Sequence, residues 1–394
     1  MTSSTHWNIK SAWSKAGVGT NIVLELKCHP HNSKKGNKKQ KRPACVAFDI
    51  GATPCFDNAI FAKYVFLSHG HIDHVGALFS HARAHAVNCG GEAPTYFVPA
   101  QLLPQIEQCR NAMSLIDSFS TTASDNEKDN QESRKGLLKM NLVPVYPGDE
   151  FPLKGITFGS KTTFFMRAFE VDHAGHPALG YIIGSRTKSK GLKEEYQNLS
   201  GKEIRELVQS GIAVNSEPLE KIEVAYSGDT CRHGLVKDYL HSPASKEERS
   251  RKSAMILDQA FQAELLLCEL TFLDSTEGED KMKKSIERGH LHINDLHDIF
   301  SSHGRLNDQD QKGEEKSIVF YHLSARYSPA ARALDYIAKG VPPQLRSSCH
   351  VAIKSLLSEA ERGGIRQSLR PNGCISLEDY LSQKKGGKRK STQT

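Results

Sequence analysis

Short apolar runs alternate with polar stretches along most of the chain, a pattern typical of an α/β protein. The runs predict strands at 21–27, 44–50, 64–67, 94–99, 156–158, 164–169, 181–184, 224–227, 265–270 and 318–321. Helices are predicted at 101–119, 201–210, 254–263 and 292–302, and a further helix after Ser328, an N-cap residue followed by Pro329. Strands dominate the first half and alternate with helices later, which predicts two sheets with helices packed outside.

Polar stretches interrupt this pattern at 30–43, 121–135, 243–253 and 304–316, and we expect them to be exposed loops. No apolar run approaches the ~18–20 residues of a membrane span, so no membrane partner is predicted. The cysteines are scattered and form no Cys-x-x-Cys pair. Reduced thiols in an intracellular compartment, cytoplasm or nucleus, are therefore expected.

The net charge of +7 changes the picture less than its distribution does. Much of the excess lies in two basic runs, Lys34–Arg42 and Lys384–Lys390. Such runs contact phosphates, act as nuclear-import signals or are simply solvated. They give only weak support to a polyanionic partner.

The run that ends at Leu67 leads into a dense cluster of potential metal ligands. His69, His71, Asp73 and His74 follow it within a few residues. Imidazole and carboxylate are the ligand types that suit zinc. The cluster therefore predicts a zinc site at the end of a buried strand rather than a surface turn that happens to contain histidines.

Three later strand ends offer the remaining ligands: His173, with His176 close behind it, Asp229 and His322. By ligand count, one zinc takes His69, His71 and His173, the other takes Asp73, His74 and His322, and Asp229 bridges the two. Two zinc ions per subunit would activate water, so that hydrolysis needs no side-chain nucleophile.

Three further carboxylates or histidines are expected close to this centre. Asp49 ends the preceding strand and is placed to orient a ligand histidine rather than to bind metal. Glu269 ends the apolar run 265–269, where a buried carboxylate needs a partner, and His290 is the candidate. Such a pair can protonate a leaving alkoxide, and the alternative is a structural hydrogen bond.

The segment His69–His74 resembles the signature of the metallo-β-lactamase superfamily, which thioesterases, lactamases, lactonases and nucleases share. Five further motifs occur in the order seen in ribonuclease Z, the tRNA 3′-processing endonucleases, and most closely in the short eukaryotic, plant-type form. They are Phe48–Gly51, Tyr226–Thr230, Glu269–Phe272, Gly289–Ile293 and His322–Tyr327.

The resemblance implies a four-layer αβ/βα sandwich with polar loop insertions. The catalytic unit would span 44–345, preceded by an N-terminal strand and basic loop (1–43) and followed by a C-terminal extension with a basic tail (346–394). It implies a zinc-dependent endoribonuclease that removes the 3′ trailer from precursor tRNA and leaves a tRNA 3′-hydroxyl and a trailer 5′-phosphate. Asp73 would assist water activation, and Glu269 with His290 would donate the proton.

The resemblance also implies a substrate arm at about 185–223 that grips tRNA, and a homodimer in which one subunit's arm serves the other's site. The candidate phosphate contacts in the arm are Arg186, Lys188, Lys190, Lys193, Lys202 and Arg205. A solvated helix and loop would carry the same charges, so the arm rests on the resemblance.

One departure and two other functions stay open. The spacing from His173 to Gly180 is one residue longer than the usual pattern, which leaves His176 as a possible ligand in place of His173. A metallohydrolase of small esters, thioesters or phosphodiesters would use the same centre. A non-catalytic RNA-binding relative would have little reason to keep the whole ligand set.

Overall fold

The computed structural model describes residues 5–27, 42–90, 92–118, 138–189, 191–236, 248–276, 278–306, 316–358, 361, 365 and 368–391, with side chains to residue 384. In chain order its strands are β1 Trp7–Lys15, β2 Gly19–Leu26, β3 Cys45–Phe48, β4 Ala62–Phe66, β5 Thr95–Pro99, β6 Asn141–Val145, β7 Glu150–Phe158, β8 Thr162–Glu170, β9 Leu179–Thr187, β10 Leu219–Tyr226, β11 Leu265–Glu269, β12 Ser317–Tyr321, β13 Cys349–Ala352 and β14 Cys374–Ser376.

The strands form two sheets. The first has six strands in the order β1-β2-β3-β4-β5-β6, and β3 to β6 run parallel. The second has eight strands in the order β14-β13-β12-β11-β10-β9-β8-β7, and β10 to β13 run parallel. In both sheets the parallel strands end at one edge, where loops that carry functional residues commonly gather.

Nine α-helices lie in the described part of the chain: α1 Ile72–Val75, α2 Leu78–Cys89, α3 Leu103–Ser118, α4 Gly201–Gln209, α5 Glu248–Phe261, α6 Glu279–Glu287, α7 Leu296–Ser302, α8 Ala330–Gly340 and α9 Leu377–Ser391. Short 3₁₀ turns connect several of them. None of the helices in the described ranges is long and apolar enough to cross a membrane.

Three apolar cores separate four layers. One core joins the inner faces of the two sheets, where aromatic side chains such as Phe48 and Phe66 meet Tyr181 and Tyr226. A second packs the outer face of the first sheet against Leu78 and neighbouring helical residues. The third covers the outer face of the second sheet with α5, α7, α8 and α9. The predicted fold class, two sheets with helices outside, is confirmed.

The structure corrects several predicted elements. The predicted elements do not include β1, β6, β13, β14, α1, α2, α6 and α9, because their apolar positions are few or interrupted by polar residues. The stretch 243–253 is not loop throughout, since α5 begins at Glu248 and runs to Phe261. Pro329 rather than Ser328 is the N-cap of α8, and no side chain caps that helix. Most of 30–43, 121–135 and 304–316 lies outside the described residues.

The sheets extend beyond residues 44–345 at both ends. β1 and β2 precede that range and complete the first sheet, whereas β13 and β14 follow it and complete the second. The N-terminal segment also contacts the second sheet through His6. Buried Glu223 accepts hydrogen bonds from the side chains of His6 and Ser185, each at 2.6 Å. Both terminal segments are therefore structural parts of the sandwich.

Candidate metal centre

The predicted ligands meet at one edge of the sandwich because each follows the carboxyl end of a strand. β4 leads into His69, β10 into Asp229 and β12 into His322. β8 is antiparallel to β9, which is antiparallel to β10, so β8 ends at this edge too and delivers His173. Gly51 is required here because a Cβ at that position would lie 2.0 Å from the Asp73 carbonyl oxygen.

The first ligand set consists of three imidazoles. His71 Nδ1 lies 3.0 Å from His69 Nε2 and 3.2 Å from His173 Nε2. His69 and His173 are buried, and His71 is half-buried. Three imidazole nitrogen atoms this close together are better explained by a shared cation than by hydrogen bonds to one another. Their spacing allows all three to bind one metal ion.

The second ligand set combines Asp73, His74 and His322. His322 Nε2 lies 3.3 Å from His74 Nε2 and 3.4 Å from Asp73 Oδ2. The backbone of His322 is in the left-handed region, with φ of +64°. A non-glycine residue holds this conformation only when its surroundings impose it. These three side chains also fit a single metal ion.

Asp229 lies between the two sets. Its Oδ2 is 3.1 Å from His74 Nε2, 3.2 Å from His322 Nε2 and 4.0 Å from His69 Nε2. Its Oδ1 is buried and, among the described residues, has no hydrogen-bond partner. A buried carboxylate oxygen without a partner is costly unless a cation binds it. The donor set therefore fits a metal cofactor, with Asp229 placed to contact both sets.

The electrostatics suit metal binding. Burial lowers the pKa of His173 to about 4 and lowers the pKa of His69 and His71 as well, so these imidazoles are neutral at pH 7, as ligands must be. Although burial opposes it, the hydrogen bond to His322 lowers the pKa of Asp73 to about 2. Burial opposes ionisation of Asp229 too, but the neighbouring imidazoles hold its pKa well below the usual range.

Asp49, which is predicted to orient a ligand histidine, contacts His74. Its Oδ2 is 2.7 Å from His74 Nδ1, and it also accepts hydrogen bonds from the hydroxyls of Ser68 and Tyr226. Asp49 is fully buried and has φ of +54°. The bond at Nδ1 directs Nε2 of His74 toward the metal-ligand atoms. Neither Ser68 nor Tyr226 is among the predicted site residues, although Ser68 precedes His69 and Tyr226 is the first residue of the motif Tyr226–Thr230.

Glu269 and His290 also meet, with Glu269 Oε1 3.4 Å from His290 Nδ1. Although burial opposes it, this carboxylate raises the pKa of His290 above its ordinary value. Glu269 also has a structural role, since its Oε1 accepts a hydrogen bond from the Leu291 amide at 2.7 Å. Its Oε2 accepts the hydroxyl of Thr271, which in turn lies 3.0 Å from His322 Nδ1. Thr271 is not among the predicted site residues, although it lies inside the motif Glu269–Phe272.

The geometry distinguishes His173 from His176. His173 Nδ1 is 2.7 Å from the Gly289 carbonyl, which turns Nε2 toward the first ligand set. A Cβ on Gly289 would lie 2.5 Å from that Nδ1, so this close approach needs glycine. His176 is exposed and its ring lies 4.5 Å from that of His71, outside the three-histidine group.

The predicted arm connects β9 to β10. Its stem is closed by backbone hydrogen bonds between Lys193 and Val214 and between Ser216 and Gly191, each 2.9 Å. Beyond the stem, α4 begins at Gly201, and its N-cap residue Ser200 forms a reciprocal capping box with Glu203. Nearly all of the segment is exposed or half-buried.

The candidate phosphate-binding residues of the arm differ in their surroundings. Lys188, Lys202 and Arg205 are exposed, and Lys193 is half-buried. Arg186 instead donates to Glu150 at 2.8 Å and to Glu220 at 3.2 Å, and stacks 4.1 Å above Phe165. These contacts place Arg186 in an ion-pair network at the base of the arm. Lys190 and nearly all of Lys34–Arg42 lie outside the described residues.

Comparison with curated proteins finds relatives that all carry one kind of name. tRNase Z TRZ1 of Arabidopsis thaliana is 28% identical over 300 residues, which is 76% of this chain and 85% of that protein. Nuclear ribonuclease Z of Triticum aestivum is 30% identical over 171 residues, 43% of this chain and 80% of that protein. The chain belongs to the ribonuclease Z family.

A third relative, the chloroplastic tRNase Z TRZ2 of Arabidopsis thaliana, is 25% identical over 283 residues, 72% of this chain and 62% of its own length. Among solved structures, human tRNase Z, short form, matches with a TM-score of 0.40 and 13% identity over 82% of this chain and 93% of its own. The metallo-β-lactamase fold protein YhfI from Bacillus subtilis matches at 0.42 and 12%, over 84% and 92%. No protein-family model matches the chain.

Proposed function

We propose that this chain is a zinc-dependent endoribonuclease that removes the 3′ trailer from precursor tRNA. The observation that carries the proposal is the convergence of seven ligand side chains with the Glu269–His290 pair beside them. The relatives named tRNase Z, of which TRZ1 is matched over 76% of this chain, supply the substrate class. Without the pair and these relatives, the same ligands would suit many hydrolases.

Two zinc ions are proposed, one for each ligand set. His69, His71 and His173 would hold the first and Asp73, His74 and His322 the second, with Asp229 touching both. Imidazole and carboxylate are ligand types that suit zinc. When bound, such ions polarise a phosphoryl oxygen and lower the pKa of water.

The side chains of this chain then divide the work of hydrolysis. Asp73 orients the water that attacks phosphorus, and the bond from phosphorus to the tRNA 3′-oxygen breaks. That oxygen takes a proton from His290, whose protonated form the Glu269 carboxylate stabilises at 3.4 Å. The new oxygen stays on the trailer as its 5′-phosphate, and the tRNA keeps a 3′-hydroxyl.

The arm, residues 188–218 between β9 and β10, would bind tRNA outside the centre. Its exposed Lys188, Lys202 and Arg205 suit phosphate contacts, which position a nucleic acid without reading its sequence. We also propose a homodimer in which one subunit's arm serves the other's centre. An intracellular location, cytoplasm or nucleus, agrees with the eight described cysteines, all of which are free.

The proposal is tested with a precursor tRNA transcript and a generic phosphodiester as parallel substrates. We expect trailer cleavage that a chelator abolishes and added zinc restores, with little turnover of the generic ester. If the ester is hydrolysed and the transcript is not, a small-molecule hydrolase replaces the proposed function. If neither is cleaved by zinc-loaded protein, a non-catalytic RNA-binding role is favoured.

A further inference from the structure

The N-terminal hairpin, formed by β1, the turn at residues 16–18 and β2, reaches the second ligand set with its tip. β1 and β2 pair in antiparallel register from Trp7 opposite Leu26 to Lys15 opposite Gly19. The hairpin lies at the edge of the first sheet and before the catalytic unit that sequence motifs define. Its tip nevertheless contacts two candidate ligands that come from opposite sheets.

One contact holds the backbone of His322. The Ser14 hydroxyl accepts a hydrogen bond from the His322 amide at 3.0 Å, and the Ala16 amide donates to the Leu323 carbonyl at 3.2 Å. His322 has φ of +64°, a conformation that a non-glycine residue holds only when contacts impose it. These two hydrogen bonds fix the backbone before and after the Cα atom of His322 and thereby orient its imidazole ring.

The other contact holds the carboxylate of Asp73. The Gly17 amide donates to Asp73 Oδ2 at 2.8 Å, the same oxygen that lies 3.4 Å from His322 Nε2. Gly17 has φ of +69°, and a Cβ there would meet no atom within 4 Å. The conformation, rather than space, therefore explains glycine at this position.

The hairpin tip is itself fixed. Ser14 and Thr20 are fully buried opposite one another and their hydroxyls lie 2.9 Å apart. The Gly51 amide donates to the Thr20 carbonyl at 2.8 Å, and Gly51 packs directly on Asp73. The Ser355 hydroxyl donates to the Ser14 carbonyl at 2.5 Å. A rigid tip can impose geometry on the ligands that it touches.

We propose that this hairpin tip is a positioning element for the second metal, with Ser14 acting on His322 and Gly17 acting on Asp73. The inference rests on the metal centre of the proposed function and extends it to residues outside every motif. Among the described residues, the tip forms hydrogen bonds to Asp73 and His322 and to no histidine of the first ligand set, so its direct effect falls on the second set. Ser14 and Gly17 are positioning residues, since each acts through a ligand.

The test measures zinc affinity of the full chain by competition with a chromophoric chelator. We expect Ser14→Ala and Gly17→Val to raise the Kd of one zinc step about 10–100-fold, as removal of an outer-shell partner does. His71→Ala assigns the steps, because it disrupts only the first ligand set. The step weakened in Ser14→Ala should be the one that persists in His71→Ala.

Two matched variants separate positioning from folding. Thr162→Val removes another cross-strand hydroxyl pair, that of buried Thr162 with half-buried Thr187 at 2.9 Å, far along the second sheet. Gly17→Asn keeps a residue type that tolerates positive φ. Thr162→Val should leave the zinc steps unchanged even where thermal stability falls, and Gly17→Asn should bind zinc more tightly than Gly17→Val.

Equal zinc affinity in Ser14→Ala and Thr162→Val would overturn the inference, as would weakening of the step that His71→Ala abolishes. Those results leave the proposed function standing, because the wild-type chain still binds two zinc ions. A wild-type chain that binds no zinc is a different outcome and overturns the metal centre together with this inference.

Discussion

The metal centre and the arm both carry residues that their chemistry singles out, but their surroundings differ. In the centre, four histidines have a hydrogen-bond partner at the ring nitrogen that faces away from the metal-ligand atoms. The partners are Ser68 for His69, Asp49 for His74, the Gly289 carbonyl for His173 and Thr271 for His322. In the arm, Lys188, Lys202 and Arg205 point into solvent. The centre is preorganised by burial, whereas the arm depends on its charge.

This difference predicts that substitutions in the centre have larger effects than substitutions on the arm. Within the centre, removal of one polar atom leaves buried partners unsatisfied, and the cost is large. On the arm, removal of one cation eliminates a single screened interaction, and the cost is small and salt-dependent. Arg186 shows the boundary between the two, since it lies within the range predicted for the arm but belongs to β9 and to a structural ion-pair network.

The largest effect is expected for Asp229→Asn. Asp229 touches both ligand sets, so removal of its charge should weaken zinc binding by more than the ~10–100-fold that removal of an outer-shell partner causes, and trailer cleavage should become undetectable. Zinc content and cleavage rate are measured together. Asp258→Asn, which alters an Asp–His pair with His303 at 3.0 Å away from the centre, is the control. Near-normal zinc content in Asp229→Asn would contradict the bridging role.

The next largest effect is expected for His290→Ala. Removal of a general acid should lower kcat by roughly 10²–10⁴-fold while zinc content stays at the wild-type value. His297→Ala, at an exposed histidine on α7, serves as the matched control. A fall in zinc content would instead make His290 a ligand, which its position 3.9 Å from Asp229 Oδ2 permits.

Deletion of most of the arm, including the Lys193–Val214 pair of its stem, separates binding from chemistry. Replacing residues 192–215 by a short Gly-Ser linker should lower kcat/KM on precursor tRNA by about a hundredfold, because several phosphate-binding side chains are removed together. Hydrolysis of a small phosphodiester, if measurable, should be unchanged. Equal decreases on both substrates would mean that the segment supports the centre rather than the tRNA.

Substitution of the arm's basic side chains tests their contribution to RNA binding without a deletion. The quadruple variant Lys188→Ala, Lys193→Ala, Lys202→Ala and Arg205→Ala should flatten the dependence of log Kd on log salt by about one for each phosphate that the variant no longer binds. Arg186→Ala should leave this slope unchanged and lower thermal stability, because its partners are Glu150 and Glu220. A slope unaffected by the quadruple variant would remove these residues from the RNA interface.

The smallest effect is expected for His176→Ala. His176 is exposed and outside the first ligand set, so zinc content and cleavage should stay near wild type. His173→Ala is the matched comparison and should abolish one zinc step. The reverse result would show that the longer spacing after His173 shifts the ligand to His176.

Sequence reasoning finds local features and misses those set by long-range pairing. Strand ends with His69, Asp229 or His322 stand out because a ligand follows an apolar run directly. β1 does not stand out, since buried Ser11 and Ser14 interrupt its apolar pattern. Its contact with His322 joins residues more than three hundred positions apart. The partners of Arg186 and Thr271 are likewise visible only once the sheets are assembled.

The most direct test of the account is the identity of the ends that zinc-loaded protein makes on a precursor tRNA transcript. We expect a single cut at the tRNA–trailer junction, with a 3′-hydroxyl on the tRNA and a 5′-phosphate on the trailer. Both ends can be mapped by ligation and sequencing before and after phosphatase treatment. A 2′,3′-cyclic phosphate on the tRNA or cuts spread along the transcript would contradict it, because neither follows from water attack at one positioned phosphorus.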